Sequence, residues 1–129
     1  MIGEEVGLWQ ARADREFQVQ VDWSTGGTGA TLTQVDDKEG NQPVAAVSRS
    51  LSRHERLYPP FRGDILACVY GIRMFRPYLH GRNFVLHTDH QPLVHLMRTA
   101  EPTGQQQRWI LILMEHDFEI QHVFLPFPM

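Results

Sequence analysis

The hydrophobic periodicity of this chain changes near Pro60, and that change restricts the fold more than any other feature of the sequence. Before it, Phe17 to Val21 and Ala30 to Val35 alternate apolar with polar residues, as strands with one buried face do. Val44 to Val47 makes a third short apolar run, and turns rich in glycine and aspartate separate the three runs. The first part of the chain is therefore predicted to be an antiparallel meander of three strands.

The second part of the chain combines predicted helices with single strands. Apolar residues at helical spacing predict a helix from about Pro60 to Phe75. The later segments predict a strand over 83–88, a short helix over 92–97, a helix over 106–116 and a strand over 118–123. This order favours an α/β fold, with a mixed five-stranded sheet in the order 3-2-1-4-5 and helices packed on it. We expect an N-terminal arm over 1–16, the domain over 17–123 and a proline-rich tail over 124–129.

Two aspartates stand where predicted strands end. Asp22 closes the first strand, and Asp89 follows the fourth, shortly before the Gln91-Pro92 step that starts a helix. Because the first and fourth strands are predicted to be parallel neighbours, the two carboxylates should lie at one edge of the sheet. Carboxylate oxygens are the ligands that hard divalent cations prefer, so this edge is a candidate metal site.

Composition narrows the class of protein. A chain of 129 residues is one domain by length, and a net charge of −3 argues against a strong free-standing nucleic-acid binder, although a tethered weak one remains compatible. The single cysteine, Cys68, cannot form an internal disulfide and is expected to be buried and inert. No run approaches the roughly 20 apolar residues of a membrane span. The N-terminus shows no signal peptide, so we expect an intracellular protein of unspecified compartment.

Five short motifs follow one another in a distinctive order. They are Val21-Asp22-Trp23-Ser24, Leu32-Thr33-Gln34, Ser48-Arg49-Ser50-Leu51, Phe75-Arg76-Pro77-Tyr78-Leu79-His80-Gly81 and Thr88-Asp89-His90-Gln91-Pro92-Leu93. With the Arg108-Trp109 pair, they resemble the RNase H-like domain of gypsy-type LTR retrotransposon (reverse transcriptase/Pol) polyproteins. The match runs from about Phe17 to Val123, and motifs in the correct order are more specific than any one of them. The resemblance implies the ribonuclease H fold.

The resemblance also implies an activity. Members of this family hydrolyse the RNA strand of RNA–DNA hybrids with two divalent ions, Mg²⁺ or Mn²⁺, held about 3.5–4 Å apart. By resemblance, Asp22 would bridge both ions, while Asp64 and Asp89 would each hold one. The candidate nucleic-acid contacts are Ser24, Arg49, Arg53, Arg56 and His90.

The sequence departs from the family pattern in three places. Asp64 stands where the family carries a glutamate, which withdraws the carboxylate by roughly 1.5 Å. Bulky Trp23 replaces a small residue. The family continues into a helix that supplies a fourth carboxylate, and these 129 residues contain no such segment. We therefore expect metal binding to be weak and cleavage to be low or absent.

Ordinary structural roles compete with these assignments. An aspartate at a strand end often caps a turn or the next helix, and Asp64 has the place of a first-turn helix acid. Alternation along the first strand puts Trp23 on the face opposite Asp22, where it would pack in the core. The basic cluster around Arg49, Arg53 and Arg56 would also suit a solvated loop with ordinary ion pairs.

Two functions follow from these observations. The first is a retrotransposon-derived RNase H-like endonuclease whose activity is impaired. The alternative is a domesticated, inactive structural subunit or scaffold in a larger assembly, which would need no cofactor. The apolar ending Val123 to Phe127 and a sheet face left bare by the absent helix would then contact protein partners.

Overall fold

A six-stranded mixed sheet with helices packed on it forms the protein in the computed structural model, which describes residues 6–7, 10–38 and 40–121. The strands are β1 (Val6–Gly7), β2 (Phe17–Ser24), β3 (Gly27–Asp36), β4 (Gly40–Ser50), β5 (Asn83–His87) and β6 (Asp117–Gln121). The helices are α1 (Pro60–Met74), α2 (Arg76–Leu79), α3 (His90–Arg98) and α4 (Gly104–Met114), with a 3₁₀ turn over Glu55–Leu57. The predicted tail over 124–129 lies outside the described residues.

The order of the sheet confirms the predicted topology. The strands lie in the order β1-β4-β3-β2-β5-β6, so β2 to β6 reproduce the predicted arrangement of five. β2, β3 and β4 pair antiparallel, whereas β5 lies parallel to β2, and β6 parallel to β5. The added strand β1 is a two-residue pair with Ala45 and Ala46 of β4, in a segment that sequence patterning left within the arm.

The meander is longer than its alternating runs suggest. Only Thr25 and Gly26 form the turn between β2 and β3, because Ser24 already pairs with Gly27. Both strands therefore continue past the apolar residues that predicted them. Hydrogen bonding between backbones extends a hairpin even where its side chains face water, and alternation alone does not register this.

One face of the sheet is covered by α1. Pro60 starts the helix, where a missing N–H costs nothing, and the helix lies across β2 and β3. Contact is close at Gly71, since a Cβ there would lie 2.8 Å from the Cβ of Ala30 and 3.2 Å from Cγ1 of Val21. Apolar residues of α3 and α4, among them Leu96 and Trp109, complete the same core.

Helix ends were predicted less accurately than helix positions. α4 begins at Gly104 because Thr103 and Gln106 form a reciprocal capping box. α3 begins at His90 because the Asp89 carboxylate accepts a hydrogen bond from the backbone N–H of Gln91 at 3.0 Å. The short helix α2 was not predicted at all. Pro77 lies in the first turn of α2, where proline is tolerated.

Gln34 attaches the segment ahead of β2 to the sheet. Its side chain is only 1% exposed, and its amide nitrogen donates to the backbone oxygens of Arg12 and Arg15 at 2.8 and 3.1 Å. Arg82 donates to the Arg15 oxygen as well, at 2.6 Å, while its guanidinium lies over the ring of Phe17. This part of the predicted arm is therefore held on the domain. Within the described residues, no helix combines the length and apolarity that crossing a bilayer requires.

Candidate active site at the ends of the central strands

Asp22 and Asp89 come from adjacent parallel strands, as predicted. The parallel pairing of β2 with β5 ends at Gln20 and His87, and each aspartate lies two residues further along its chain. The ends of β2 and β5 thus bring two exposed carboxylates to the same edge of the sheet. Asp22 is not the last residue of its strand, however, since it still pairs with Gly29 across the hairpin.

Asp64 reaches this edge from α1. It lies beyond the first turn of the helix, which contains no acidic residue, so the interpretation of Asp64 as a first-turn helix acid is wrong. One turn later, Cys68 places its sulfur 3.5 Å from the hydroxyl of Thr88, the residue before Asp89. The packing of α1 on β5 therefore brings Asp64 towards Asp89.

The pKa of Asp64 reflects its partial burial and the charges of both other aspartates, Asp89 and Asp22. Partial burial raises the pKa of this carboxyl above its ordinary value, and the negative charges of Asp89 and then Asp22 raise it further. A carboxyl whose pKa is raised by neighbouring negative charges marks a place where a cation would be stabilised. Three acidic side chains from distant parts of the sequence thus share one electrostatic environment.

The fit to a divalent cation is good in chemistry and incomplete in geometry. All three candidates are carboxylates, the donor type that Mg²⁺ and Mn²⁺ prefer. Across residues 6–7, 10–38 and 40–121, however, no three aspartate, glutamate, histidine or cysteine side chains stand in an arrangement that could enclose one metal ion. The carboxylates are gathered at one edge without forming a closed ligand set.

Trp23 and Gly63 are in direct contact beside these acids. A Cβ built on Gly63 would overlap the indole ring, 2.6 Å from Cζ2 and closer still to Cδ2 and Cε2. Trp23 is half-buried against the core, on the α1 side of the sheet, which agrees with the packing role predicted from alternation. Its Nε1 is buried and has no hydrogen-bond partner within the part of the chain that the structure describes.

The predicted nucleic-acid contacts differ in the interactions that their side chains already make within the protein. Arg49 forms a two-point ion pair with Glu55, at 2.8 and 2.9 Å, and its guanidinium lies 5.2 Å from the centre of the Tyr70 ring. Ser24 accepts a hydrogen bond from the N–H of Gly26 in the hairpin turn. Both residues thus have a structural role. For Arg49, the ion pair with Glu55 supports the alternative prediction of ordinary ion pairs in this loop.

The remaining candidates are in different positions. Arg53 and Arg56 are exposed in the loop and 3₁₀ turn between β4 and α1. His90 is the first residue of α3, and its side chain lies outside the described part of the structure. The structure does not bring Arg53 or Arg56 into a contact with the three carboxylates.

Sequence patterning missed one polar link near this site. Arg62 donates through Nε to Oε1 of Gln105 at 3.1 Å, and through Nη2 to the same oxygen. Gln105 in turn donates to the hydroxyl of Tyr58 at 2.9 Å, and the Arg62 guanidinium stacks 4.3 Å from the centre of that ring. This link ties the start of α1 to the start of α4, and no spacing rule relates these residues in the sequence.

Comparison with known proteins places the chain among retroelement domains. Residues 12–116 match the family described as the RNase H-like domain found in reverse transcriptase. The chain is 34% identical over 110 residues to a retrovirus-related Pol polyprotein from transposon 297 of Drosophila melanogaster, covering 85% of this chain and 10% of that protein. It is 28% identical over 121 residues to the Pol polyprotein from transposon gypsy of the same species, covering 93% and 11%. The chain thus spans about a tenth of the length of these relatives.

Solved structures show the same fold at low sequence identity. The foamy viral protease-reverse transcriptase in complex with dsDNA superposes with a TM-score of 0.73 at 13% identity, over 95% of this chain and 26% of that one. RNase H1 from the archaeon Halobacterium salinarum superposes with a TM-score of 0.56 at 16% identity, over 84% and 85%. The fold, the order of the motifs and the match over most of the residues lead to one conclusion: the chain belongs to the RNase H-like domain family of reverse transcriptases, and its relatives are retrotransposon Pol polyproteins.

Proposed function

We propose that this domain derives from a two-metal endonuclease acting on the RNA strand of RNA–DNA hybrids, and that this activity is impaired in the present chain. The observation that carries the proposal is the placement of Asp22 and Asp89 at equivalent positions beyond the parallel pairing of β2 and β5, with Asp64 beside them. A structural role alone gives no reason for three carboxylates to share one edge of a sheet.

The three carboxylates have distinct positions towards a metal. Asp22 lies on β2, between β3 and β5, and would be the residue suited to contact two ions. Asp89 has one oxygen engaged with the Gln91 amide, which orients the carboxylate and leaves its other oxygen available. Asp64 approaches from α1. When bound, Mg²⁺ or Mn²⁺ would activate a water molecule and stabilise the leaving oxygen.

Impairment follows from Asp64 and from the openness of the site. A carboxylate that is shorter by one methylene reaches roughly 1.5 Å less far, and Mg²⁺ accepts little deviation from octahedral geometry at about 2.0–2.1 Å. The absence of a closed ligand set among the described residues supports the same view. Binding of either ion would therefore have to draw the side chains together against their mutual repulsion.

The proposed substrate is an RNA–DNA hybrid that is bound weakly. A foamy viral protease-reverse transcriptase in complex with RNA/DNA hybrid shares this fold with a TM-score of 0.62 at 13% identity. Arg53 and Arg56 are exposed and are the basic candidates best placed for phosphate contacts, whereas Arg49 would have to leave Glu55. With a net charge of −3, the domain would depend on a tethered neighbour for affinity.

A cleavage assay on a labelled RNA–DNA hybrid tests this proposal. We expect slow cleavage with Mn²⁺, less with Mg²⁺, and none in Asp22→Asn. Glu16→Gln is a matched control because Glu16 is exposed just ahead of β2, and it should leave the rate unchanged. Cleavage that persists in Asp22→Asn, or that needs no divalent ion, would refute the assignment.

A scaffold role is the second candidate, and an apolar groove favours it. The groove has a volume of about 510 Å³ between α3, α4 and β6, and Met97 and Met114 on its rim are 49% and 66% exposed. Methionine-rich rims suit adaptable protein contacts. A separate groove, of about 440 Å³, lies at the sheet surface around Asp22, Thr31 and Ser48, and the test below concerns only the groove with the two methionines. A Met97→Lys/Met114→Lys variant that leaves any cleavage unchanged but abolishes assembly with a defined partner would support this role.

A further inference from the structure

The contact between Trp23 and Gly63 joins the backbone positions next to two of the three carboxylates. Trp23 directly follows Asp22 on β2, and Gly63 directly precedes Asp64 on α1. Because Gly63 has no Cβ, the helix backbone rests against the face of the indole. The distance from strand to helix at this point is therefore set by the thickness of one aromatic ring.

The ring is held by packing and not by a hydrogen bond. Trp23 packs against the core cluster, and its Nε1 is buried with no acceptor among the described residues. Steric contact alone therefore determines where it lies. A further atom on Gly63 would displace either the indole or the helix, since interiors of this density have no free space for it.

The helix has a second close approach, which limits how it can respond. At Gly71, two turns further on, a Cβ would lie 2.8 Å from the Cβ of Ala30. The last turn of α1 is thus seated directly on β3, while the beginning of the helix is seated on Trp23. With Gly71 fixed, a change in size at position 23 would tilt the beginning of α1 and shift Asp64 more than the residues closer to Gly71.

We propose that Trp23 is a positioning residue that acts as a spacer between β2 and α1, and so sets where Asp64 is presented to Asp22 and Asp89 for metal binding. This inference rests on the proposed function, which it deepens. In this arrangement the Trp23 ring fills the space between β2 and α1, and Gly63 on the helix leaves room for it. Either residue changed alone would misplace Asp64, whereas a paired change would compensate in part.

Mn²⁺ titration of the purified chain tests the proposal, with Mn²⁺ alone as the probe and electron paramagnetic resonance of the free ion as the readout. We expect Gly63→Ala to weaken binding by about tenfold, since a shift of order 1 Å disrupts a site that needs ligands at defined distances. Trp23→Phe should stay within about twofold of the wild-type affinity because the ring remains. Trp23→Ala should bind about tenfold more weakly, and Trp23→Ala/Gly63→Ala should regain part of the loss of Gly63→Ala.

Two controls separate positioning from simple destabilisation. Ile72→Val removes a buried methyl group further along α1 and should lower stability while leaving Mn²⁺ affinity unchanged. Asp22→Asn should abolish binding and so show that the ion occupies this site. If Gly63→Ala fails to fold, the comparison of Trp23→Phe with Trp23→Ala still decides, because equal affinity in both would overturn the spacer role.

The outcome also distinguishes this inference from the proposed function. If wild-type protein binds no Mn²⁺, the proposed function fails, and crystal structures of the wild-type and Gly63→Ala proteins decide the spacer role. A larger separation between the Cα atoms of Asp22 and Asp64 in Gly63→Ala would support it. An unchanged separation would overturn it, as would wild-type Mn²⁺ affinity in a folded Gly63→Ala protein.

Discussion

The thiol of Cys68 donates to the hydroxyl of Thr88 across 3.5 Å, and this contact ties the middle of α1 to the end of β5. Both residues are buried, at 1% and 7% exposure. Asp64 lies one helical turn before Cys68, and Asp89 directly follows Thr88. The packing of these two small side chains therefore contributes to how closely two of the acidic residues approach.

Cys68 should be chemically inert in the folded protein. Burial raises the pKa of its thiol to about 12, so almost no thiolate exists at neutral pH, and reagents have no access to the sulfur. We expect no reaction with a thiol-specific aromatic disulfide at pH 8 in native protein, and one equivalent after addition of urea. Rapid labelling of the native protein would show that α1 separates from β5 much more often than this packing implies.

Removing the charge of Asp64 should stabilise the protein in the absence of metal. Burial, followed by the charges of Asp89 and Asp22, raises the pKa of this carboxyl, so the folded state binds its proton more tightly than the unfolded state does. Stability then falls as pH rises through the unfolded and then the folded pKa, and the cost is fully present at pH 7. We expect Asp64→Asn to raise the melting temperature by about 2 °C at pH 7, with no gain below pH 3. A loss of stability at pH 7 would contradict this electrostatic account.

Lengthening the same side chain should improve metal binding. Asp64→Glu restores the reach of roughly 1.5 Å that the shorter side chain lacks. We expect calorimetry to show Mg²⁺ bound about tenfold more tightly, which corresponds to about 1.4 kcal/mol, and cleavage of a hybrid to rise with it. Asp14→Glu is the control, because it makes the same chemical change in an exposed residue away from the site. Equal Mg²⁺ affinity in wild-type and Asp64→Glu proteins would count against Asp64 as a ligand.

The ion pair between Arg49 and Glu55 should make stability depend on acidic pH. The hydrogen bond from Arg49 lowers the pKa of Glu55 to about 2, against a burial effect in the opposite direction. Because the folded pKa lies below the unfolded one, the stabilisation is complete above about pH 4.5 and disappears as pH falls towards 2. We expect Glu55→Gln to lower the free energy of unfolding by about 1.5 kcal/mol at pH 7, less than the full shift because solvent screens the pair. Urea denaturation at pH 7 and pH 2 measures the difference, which should vanish at the lower pH.

Replacement of Gln34 should release the segment ahead of β2. Gln34→Leu removes the hydrogen bonds to the backbone of Arg12 and Arg15 and leaves polar groups without partners, at a cost of about 2–3 kcal/mol. Faster hydrogen exchange is expected at the Arg12 amide, which donates to Oε1 of Gln34 at 2.8 Å. Gln20→Leu, in an exposed position on the neighbouring strand, should change stability by less than about 0.5 kcal/mol. Unchanged exchange at Arg12 in Gln34→Leu would show that other contacts hold this segment.

Local patterns were sufficient for β2 to β6, for α1 and for the order of these five strands in the sheet. Alternation reports which residues face a core, and right-handed crossovers leave few ways to connect a meander to parallel strands. The ends of elements were less accurate because single hydrogen bonds set them. Asp89 and Thr103 each start a helix two residues before its apolar pattern begins.

By itself, the sequence determined that β2 and β5 are neighbours and that Asp22 and Asp89 follow their pairing, since both facts depend on periodicity and connection handedness. Only the tertiary structure decided how α1 packs on the sheet, and with it where Asp64 lies. This packing depends on the contacts of Gly63 with Trp23 and of Cys68 with Thr88. In each contact the two residues are far apart in the chain. Packing between such partners is a matter of shape and volume, which no spacing rule along a single chain encodes.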